Sequence, residues 1–349
     1  MLLSSIPFVD LRDKTLVDLL RSYPDKARTL IGCARRMYGI WSRLASVIAL
    51  PLADRLSYAW LRKTNNPYLH EIETMADILE TKGAYSIGLS YEWGCTSGVY
   101  RQTDTVPLLR VLDWPFPDLG KHVMVVRLKT KAGDYYNVTW PGISGVFTAM
   151  APGRFSAAIN MAPMRKHRRG LIGDWLTNRR IANHEMGLPA SHLLRQVFEQ
   201  ANDYEHAKEM LLKTPIATPA IFILAGTEPG QGCVIERLEN AAEFKELSAE
   251  THLSATNHFV SKFAGFGEGW RPRMVDSQER YQQSDTIAGH ELEALDFSWL
   301  RAPMLNRFTR LCVVADAATS RLMVQGFSGV IPVTGVFQLP SSHLARDVA

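Results

Sequence analysis

The chain has few cysteines and no long apolar run, and these absences exclude several classes of protein. Its 349 residues include four widely spaced cysteines without a CxxC pair, so we expect neither a disulfide framework nor a cysteine-ligated metal. No run of about 18 apolar residues is present, which excludes an obvious membrane-spanning helix. The first residues lack a basic segment and include Asp10. That pattern is unlike a signal peptide, so we expect a cytoplasmic location.

The chain also has little net charge of either sign. Lys and Arg total 39 and Asp and Glu total 35, giving a formal net charge of +4 at pH 7. No RRM, zinc-finger or helix-turn-helix signature accompanies this weak charge, so we expect no nucleic-acid partner. Neither a GxGxxG nor a P-loop sequence occurs, and His184, Glu185 and His192 lack the spacing of a zinc-binding HExxH motif. We therefore expect neither a metal nor another cofactor.

The first 94 residues carry mainly helical patterns. A short strand is expected at residues 6–11, followed by a helix that ends before Pro24. Further helices are expected over residues 25–49, from Pro51 onward and over residues 68–82. Basic and aromatic residues accompany their apolar faces. These faces either cover the core of the protein or lie peripherally on a membrane surface, and the sequence favours the first alternative without excluding the second.

From Cys95 onward the pattern changes to short strands interrupted by blocks of helix. Helices are expected over about 172–181, over 190–213 with a break near residues 202–203, and over 292–300. Runs of strands separated by such blocks indicate a layered α/β fold rather than regular βαβ alternation. The predicted strands are CTSGVYR, PLLRVLDW, HVMVVRLKT, YYNVTW, GVFTAM, RFSAAIN, AIFILAG, CVIERL, LCVVADA, RLMVQGF and GVFQL, with one or two more in ELSAETHLSATNHF.

The stretch EWGCTSGVY contains a dipeptide with distinctive chemistry, Gly94-Cys95. If the bond between these residues is cut, Cys95 becomes an N-terminus whose amine has an ordinary pKa of about 8, close to about 8.5 for its thiol. One residue then supplies both nucleophile and base. Gly94 favours such a cut because it has no side chain to block attack on its carbonyl. Taken alone, the dipeptide is more typical of an ordinary buried thiol.

Four longer motifs follow Cys95 in order: LLRVLDWPF, WPGISGVFTAMAPGRFSAAIN, KTPIATPAIFILAGTEPGQGCVIER and SATNHF. From about residue 85 to about residue 260 this series resembles the acid ceramidase family of N-terminal-nucleophile amidases. More distantly it resembles the choloylglycine hydrolases and penicillin acyltransferases. The resemblance implies a four-layer αββα fold with an N-terminal helical segment. It also implies cleavage into a small subunit of residues 1–94 and a large catalytic subunit of residues 95–349, which remain associated.

The resemblance assigns Cys95 as the nucleophile and places Arg110 and Asp113 beside it. Asp113 is expected to accept a hydrogen bond from the freed amine and fix its direction. Arg110 and Asp113 stand at i and i+3, which in a flat strand point to opposite faces, so a bulge or twist must bring both to the thiol. Without the resemblance these two residues are more typical of a local surface ion pair.

Two further residues come from later motifs. Asn257, in SATNHF, matches the family's oxyanion-binding asparagine, and its amide offers two N–H donors without adding charge. Its alternative role is to form a turn at a strand end. Arg280, in VDSQERYQ, is the best match to a later family arginine near the site, with Arg271 and Arg273 as competitors.

Several aromatic residues and two departures from the family pattern concern the substrate. Trp114, Phe116, Trp140 and Phe147 are candidate walls of an acyl pocket, although aromatic residues are more often part of the core. The family has Asn after the first motif's Arg, where this chain has Val111, and often has Asn-Glu-Arg where this chain has residues 160–162, Asn-Met-Ala. These departures leave the identity of the substrate open.

The sequence therefore predicts a cysteine hydrolase that cleaves its own Gly94–Cys95 bond. The predicted reaction is hydrolysis of a non-peptide amide, an N-acyl amine with a lipid-like acyl chain such as a ceramide or an N-acylethanolamine, through a Cys95 thioester. Two alternatives stay open. An acyltransferase would pass the acyl group from the same thioester to an amine, and a non-catalytic lipid-binding homologue would keep the fold without cleavage.

Overall fold

The computed structural model has short β-strands at its centre. It describes residues 3–37, 40–81, 83–85, 94–116, 118–247, 251–271 and 276–339, without the side chains of residues 34–50 and 265–268. The strands are, in chain order, β1 (Phe8–Asp10), β2 (Gly94–Tyr100), β3 (Leu108–Asp113), β4 (Met124–Thr130), β5 (Gly133–Thr139), β6 (Thr148–Ala151), β7 (Phe155–Met161), β8 (Met164–Arg165), β9 (Ala220–Ala225), β10 (Gly232–Arg237), β11 (Ala242–Glu246), β12 (His252–Ala255), β13 (Trp270–Arg271), β14 (Thr309–Asp316), β15 (Arg321–Ser328), β16 (Ile331–Pro332) and β17 (Phe337–Gln338).

Most of these strands belong to two sheets. The eight-stranded sheet has the order β1-β4-β5-β6-β7-β9-β10-β11, and the seven-stranded sheet has the order β12-β2-β3-β14-β15-β16, with β17 also paired to β15. Strand β1 runs parallel to β4. The pairings of β2 with β3 and of β7 with β9, which matter for the site, are antiparallel.

Helices lie at the N-terminus and on the outer faces of the sheets. They are α1 (Leu16–Ser22), α2 (Pro24–Met37), α3 (Ile40–Lys63), α4 (Leu69–Leu79), α5 (Leu119–His122), α6 (Gly170–His184), α7 (Ala190–Gln200), α8 (Tyr204–Lys213) and α9 (Ser277–Asp285), with 3-10 segments at Lys262–Gly269 and Gly289–Glu293. Pro24 opens α2, where its missing N–H costs no hydrogen bond. Within the described residues, no helix is both long and apolar enough to cross a membrane.

The two sheets stack face to face between layers of helix. Strand β2 contacts β7, β9 and β10 across the interface between the sheets. Helix α7 packs on β7, and α8 packs on β9 and β10, whereas α9 packs on β2 and β12 of the other sheet. This order of layers, helix, sheet, sheet and helix, confirms the predicted αββα fold class with its N-terminal helical segment.

Alternation along the strands explains why the sheets stack. Val99 and Leu108 pack with Ile221 and Ile223 between the sheets, whereas their neighbours in sequence face the opposite side, as Tyr100 does. A strand alternates its side chains with a period of two, so a strand buried on both faces carries apolar residues at nearly every position. Each fully buried side chain of this size contributes about 1.5–3 kcal/mol.

The N-terminal helices differ partly from the prediction. Helix α3 continues through Pro51, where the sequence predicted a new helix to start. A proline inside a helix removes one backbone hydrogen bond, and its ring clashes with a carbonyl of the preceding turn, at a cost of about 3 kcal/mol or more that other contacts must offset. Turns on both sides of Pro51 continue, and Leu61 near the end of α3 is anchored in a buried cluster with Tyr68 and Ile72.

Two other elements were predicted incorrectly. No helix was predicted over Ser277–Asp285, where the structure has α9. A helix was predicted over residues 292–300, but the structure has only the 3-10 segment Gly289–Glu293, followed by turns. Asp296 accepts hydrogen bonds from the backbone N and the hydroxyl of Ser298. Such a local turn competes with helix formation.

Candidate active site

The pairing of β2 with β3 places the predicted residues beside one another. Cys95 pairs with Leu112, Ser97 with Arg110, and Gly94 with Asp113. Directly paired residues of antiparallel strands share a face. Cys95 and Arg110 therefore face the eight-stranded sheet, whereas Asp113 lies on the outer face. Glu92 and Trp93, at the start of the EWGCTSGVY motif, lie outside the described residues.

Cys95 is completely buried in the uncut chain. Its Sγ lies 3.9 Å from the carbonyl oxygen of Ile159 on β7. Burial raises the pKa of the thiol, and the charges of Arg110 and Arg280 oppose that rise. The thiol thus lies in an apolar site with two cations near it. The two cations make the thiolate easier to form than it would be in an equally buried site without them.

Asn257 holds the backbone nitrogen of Cys95. The nitrogen donates a hydrogen bond of 2.8 Å to Oδ1 of Asn257, and Nδ2 of Asn257 donates one of 2.9 Å to the carbonyl oxygen of Met161. Arg280 Nη2 also donates to Oδ1, at 2.9 Å. Donors on its oxygen and an acceptor on its nitrogen fix the orientation of the amide. The prediction assigned the amine to Asp113, but in the uncut chain this nitrogen bonds to Asn257.

Arg280 projects from α9 onto the backbone of β2 at Cys95 and Thr96. Its Nη1 donates to the carbonyl oxygen of Cys95 and, at 3.1 Å, to Oγ1 of Thr96. The same nitrogen lies 3.8 Å from Oδ2 of Asp113. Of its two competitors, Arg271 pairs with Asp174 at 3.4 Å and is 40% exposed, and Arg273 lies outside the described residues.

Asp113 is buried on the outer face, in a polar pocket. Asn306 Nδ2 donates to Oδ2 at 2.9 Å, and Thr309 Oγ1 donates to Oδ1 at 3.0 Å. Burial raises the pKa of this carboxyl, and the charge of Arg280 opposes the rise. The β3–β14 register is irregular between Thr309 and Leu311, beside Asp113. The irregularity lies on the partner strand, and Asp113 is linked to Cys95 through Arg280.

Arg110 is completely buried on the inner face, and both of its hydrogen-bond partners are neutral. Its Nη1 donates to Oγ of Ser97, at 3.2 Å, and to Oδ1 of Asn160. Its Nε and Nη2 have no oxygen or nitrogen acceptor, and the group that interacts with the guanidinium there is the thiol of Cys95. A buried guanidinium whose N–H groups lack such an acceptor is able to bind an anion or a polarised carbonyl. No bulge in β3 brings Arg110 and Asp113 to the same face, and the alternative of a surface ion pair does not apply, since both residues are buried on opposite faces.

Residues of α9 hold Asn257 in place, and the sequence analysis did not predict them. Asn257 N donates to Ser277 Oγ at 3.0 Å, and Thr256 Oγ1 donates to the carbonyl oxygen of Ser277 at 2.9 Å. Ser277 precedes Arg280 by three residues, so both project from the same face of α9. One helix therefore sets both the backbone and the side chain of Asn257. The only available signal was this Ser-x-x-Arg spacing, which is weak by itself.

A cleft opens beside Asn160 and Met161. It has a volume of about 110 Å³ and is bordered by Trp60 of α3 and Trp175 of α6. Ile159, Asn160 and Met161 line it, and these residues contact Cys95, Arg110 and Asn257. Cys95, Arg110 and Asn257 do not line the cleft themselves, but they contact residues that do.

The four predicted pocket aromatics lie elsewhere. Trp114, Phe116, Trp140 and Phe147 are buried together in the main hydrophobic cluster. Trp114 stacks on Phe116 with ring centroids 5.0 Å apart and meets Trp140 edge-on. None of the four lines the cleft at Met161, and their contacts are those of core residues.

Charged side chains away from Cys95 join the first 94 residues to the rest. Arg195 on α7 makes two hydrogen bonds to Glu71 on α4, at 2.5 and 3.0 Å. His192 contacts Asn66 and Ser144, each at 3.0 Å, and burial lowers its pKa to about 3. Across the described part of the chain, no group of three His, Cys, Asp or Glu residues is arranged to hold a metal ion.

Comparison with known proteins adds independent information. No protein-family model matches the chain. The N-acylethanolamine-hydrolyzing acid amidases of Cavia porcellus and Oryctolagus cuniculus are 29% and 30% identical to it over 269 residues, which are 72% of this chain and 71% and 70% of theirs. The acid ceramidase of Heterocephalus glaber is 36% identical over 188 residues, covering 51% of this chain and 44% of its own.

A comparison of structures gives a weaker match. The Caenorhabditis elegans ortholog of N-acylethanolamine-hydrolyzing acid amidase aligns with 70% of this chain and 100% of its own, at 20% identity and a TM-score of 0.47. The layer order and the residue contacts described above do not depend on this alignment.

Proposed function

This chain belongs to the family of acid ceramidases and N-acylethanolamine-hydrolyzing acid amidases, and we propose that it cuts itself before Cys95 and then hydrolyses N-acyl amines through a thioester. Family membership makes it a hydrolase of linear amides rather than of peptide bonds. The more specific part of the proposal, self-cleavage and a Cys95 thioester, rests on one observation. Asn257 and Arg280 converge on the backbone of Cys95, a buried residue that otherwise offers only a thiol.

The proposed maturation is an intramolecular acyl transfer followed by hydrolysis. Sγ of Cys95 attacks the carbonyl carbon of Gly94, the carbon–nitrogen bond breaks, and the nitrogen takes the thiol proton to become an α-amine. Water then hydrolyses the new thioester, leaving a carboxylate on Gly94 and a thiol on Cys95. The fragments are residues 1–94 and residues 95–349.

The proposed turnover uses the same thiol with its new amine. The thiol proton moves to the α-amine as Sγ bonds to the substrate carbonyl carbon, and the amine then protonates the leaving nitrogen. Water hydrolyses the acyl thioester to a carboxylic acid. Asn257 Oδ1 retains the amine, since it already accepts a hydrogen bond from the same nitrogen. Asn257 Nδ2, now on Met161, donates to the oxyanion once substrate displaces that contact.

The charged residues have separate proposed tasks. Arg110 directs its Nε and Nη2 N–H groups at the charge that develops on sulfur and oxygen. Arg280 holds the carbonyl of Cys95 and keeps Asp113 ionised. Asp113 lies beside Arg280, and its negative charge favours the protonated form of the amine, whereas Asn257 fixes the direction of the amine. Such preorganised charges cost no rearrangement during the reaction.

The cleft and the helices beside it suit a lipid substrate. Trp60 and Trp175 border the cleft, and α6 exposes Leu171, Ile172 and Leu176 while α3 exposes Leu52 and Leu56. Exposed apolar patches of this kind are typical of interaction with membranes or ligands. Among the N-terminal helices, we place the predicted membrane contact on α3, and we extend it to α6. Helices α1 and α4 instead cover the core, as Leu16, Leu20, Met75 and Leu79 show.

Buried contacts support continued association of the two fragments after cleavage. Glu71, Tyr68 and Asn66 of the small fragment bond to Arg195, Glu199 and His192 of the large one. Arg195 also lies over the ring of Tyr68, at 4.1 Å. The Arg195–Glu71 pair is largely shielded from water, with side-chain exposures of 10% and 15%, so separating it leaves a poorly solvated charge without its partner.

The activity test is release of fatty acid from N-acylethanolamines and ceramides presented in detergent micelles or vesicles. Wild-type protein should release fatty acid, and Cys95→Ala should not. Added amines test the acyltransferase alternative, since a new N-acyl product would replace the free acid. An uncut, inactive wild type that still binds the lipids would favour the lipid-binding alternative. An active Cys95→Ala protein would overturn the proposal.

A further inference from the structure

Asn160 joins three strands at the centre of the site. It is completely buried on β7. Its Oδ1 accepts hydrogen bonds from Arg110 Nη1 and, at 2.7 Å, from Ser97 Oγ. Its Nδ2 donates to the carbonyl oxygens of Ala255, at 2.9 Å, and Thr256, at 3.3 Å. One amide therefore connects Arg110 on β3 and Ser97 on β2 to the chain segment that carries Asn257.

The neighbours of Asn160 contact the remaining parts of the site. The carbonyl oxygen of Ile159 lies 3.9 Å from Cys95 Sγ, and that of Met161 accepts from Asn257 Nδ2 at 2.9 Å. Three consecutive residues at the end of β7 thus touch Cys95, Arg110 and Asn257. Among these three contacts, only that of Asn160 is made by a side chain. It is therefore the only one of the three that a substitution on β7 can remove.

An amide has properties at this position that other side chains of similar size lack. A leucine would remove one of the two acceptors of Arg110 Nη1, the acceptor of Ser97 Oγ and the amide donor to two carbonyl oxygens, and lost hydrogen bonds of buried groups are destabilising. An aspartate would accept from Arg110 but could not donate to the carbonyls, and its charge would neutralise the guanidinium. Asparagine holds Arg110 and leaves its positive charge uncompensated.

We propose that Asn160 is a positioning residue that aims the Arg110 guanidinium at Cys95 without neutralising it. The proposal rests on the proposed function only in taking Cys95 as the nucleophile. Arg110 has no oxygen or nitrogen acceptor for Nε and Nη2, and the buried Asn160 is one of the residues that border the cleft. The anchored guanidinium then meets the charge that forms on the thiol and on the substrate carbonyl.

The first test reads the thiol itself and needs no substrate. Ionisation of Cys95 is followed by thiolate ultraviolet absorbance against pH, as the difference between each protein and its Cys95→Ser counterpart. Asn160→Asp should raise the midpoint by about one pH unit, since a new carboxylate beside Arg110 cancels its effect on the thiol. An unchanged midpoint in a protein that still unfolds cooperatively would overturn the proposal, whether or not the chain proves to be an amidase.

The second test uses turnover and a double-mutant cycle. Asn160→Ala should lower kcat by at least about tenfold with KM changed by less than about twofold, because the lost interaction acts on the transition state. Combined with Arg110→Met, it should add little further loss, since both changes remove one interaction. Fully additive losses would show that Asn160 acts independently of Arg110 and would contradict the proposal. If wild type releases no acid, this test fails together with the proposed function, and the thiol titration alone decides on Asn160.

Discussion

Arg280 Nη2 lies 2.9 Å from Asn257 Oδ1, the oxygen that also accepts the hydrogen bond from the backbone nitrogen of Cys95. The other arm of the same guanidinium bonds to the carbonyl oxygen of Cys95. One side chain on α9 therefore fixes both ends of the nucleophile's own backbone unit. The fork of arginine suits this task, because its two arms hold a rigid geometry that a lysine ammonium lacks.

Replacing Arg280 separates its geometry from its charge. Arg280→Lys keeps a cation near Asp113 but cannot span both acceptors, so we expect kcat to fall by about 10–100-fold, which corresponds to about 1.5–3 kcal/mol for a lost charged hydrogen bond. Arg280→Met should lose more and should also unfold more easily, since Asp113 is left buried without its cation. Steady-state kinetics with thermal unfolding measures both. Equal activity of Arg280→Lys and wild type would refute the role given to the fork.

The acid limb of the pH profile should follow Asp113. Burial raises the pKa of this carboxyl, whereas Arg280, Asn306 and Thr309 lower it. Activity requires the ionised form, so it should fall as pH drops through this raised pKa. Asn306→Ala removes a donor and raises the pKa further, which should move the acid limb of kcat/KM to higher pH. The exposed Gln282→Ala on α9 is the control, and an acid limb that stays in place in Asn306→Ala would assign it to another group.

The raised pKa of Asp113 also makes the free energy of unfolding depend on pH. The folded chain binds the proton of Asp113 more tightly than the unfolded chain does. Stability contributed by this group is therefore present at low pH and is lost as pH rises from the ordinary aspartate range through the folded pKa. Asn306→Ala should widen that window, and denaturant unfolding at several pH values measures it.

The contact between Glu71 and Arg195 should hold the fragments together. Arg195→Met leaves Glu71 without its partner, and we expect a loss of about 3–5 kcal/mol in the free energy of unfolding. After cleavage, the fragments should separate at a lower urea concentration than in wild type, as seen by size-exclusion chromatography. Arg28→Met, which removes the exposed pair with Asp25, is the control and should change stability by under about 1 kcal/mol. Similar effects of the two variants would refute the interface role.

The exposed apolar residues of α6 should bind lipid surfaces. Ile172 is 75% exposed, and Arg168 and Arg169 precede the helix. Ile172→Glu should reduce co-sedimentation with vesicles that contain anionic lipid, because it removes apolar contact and adds repulsion. Leu295→Glu changes an equally exposed residue outside α3 and α6 and should leave vesicle binding unchanged. Undiminished binding by Ile172→Glu would exclude α6 from the contact.

The strand core and the neighbourhood of Cys95 were predictable from sequence, but α9 was not. The strands show an apolar period of two, and the motifs around Cys95, Arg110 and Asp113 lie on two of them. Helix α9 buries Ser277, Arg280 and Ser284. That buried face is polar, so a search for apolar helical periodicity does not find it. The helix that supplies Arg280 therefore became visible only in the structure.

Buried polar residues explain the other differences. Arg195, Glu71 and His192 would ordinarily be assigned to a solvated surface, yet Arg195 pairs with Glu71 and His192 bonds to Asn66 across the two fragments. Conversely, Trp114 and Trp140 were candidates for a substrate pocket and lie in the core. The sequence shows that a charged or aromatic residue is present. Which residues it contacts depends on positions distant in the chain, and local sequence patterns do not contain that information.

The central claim is that the chain cuts itself between Gly94 and Cys95, and intact mass with N-terminal sequencing of the purified protein tests it most directly. The account predicts two fragments from wild type, one beginning Cys-Thr-Ser-Gly, and a single 39.1 kDa chain from Cys95→Ala. A wild-type protein that releases fatty acid while remaining one uncut chain, or a Cys95→Ala protein cut at the same bond, would contradict it.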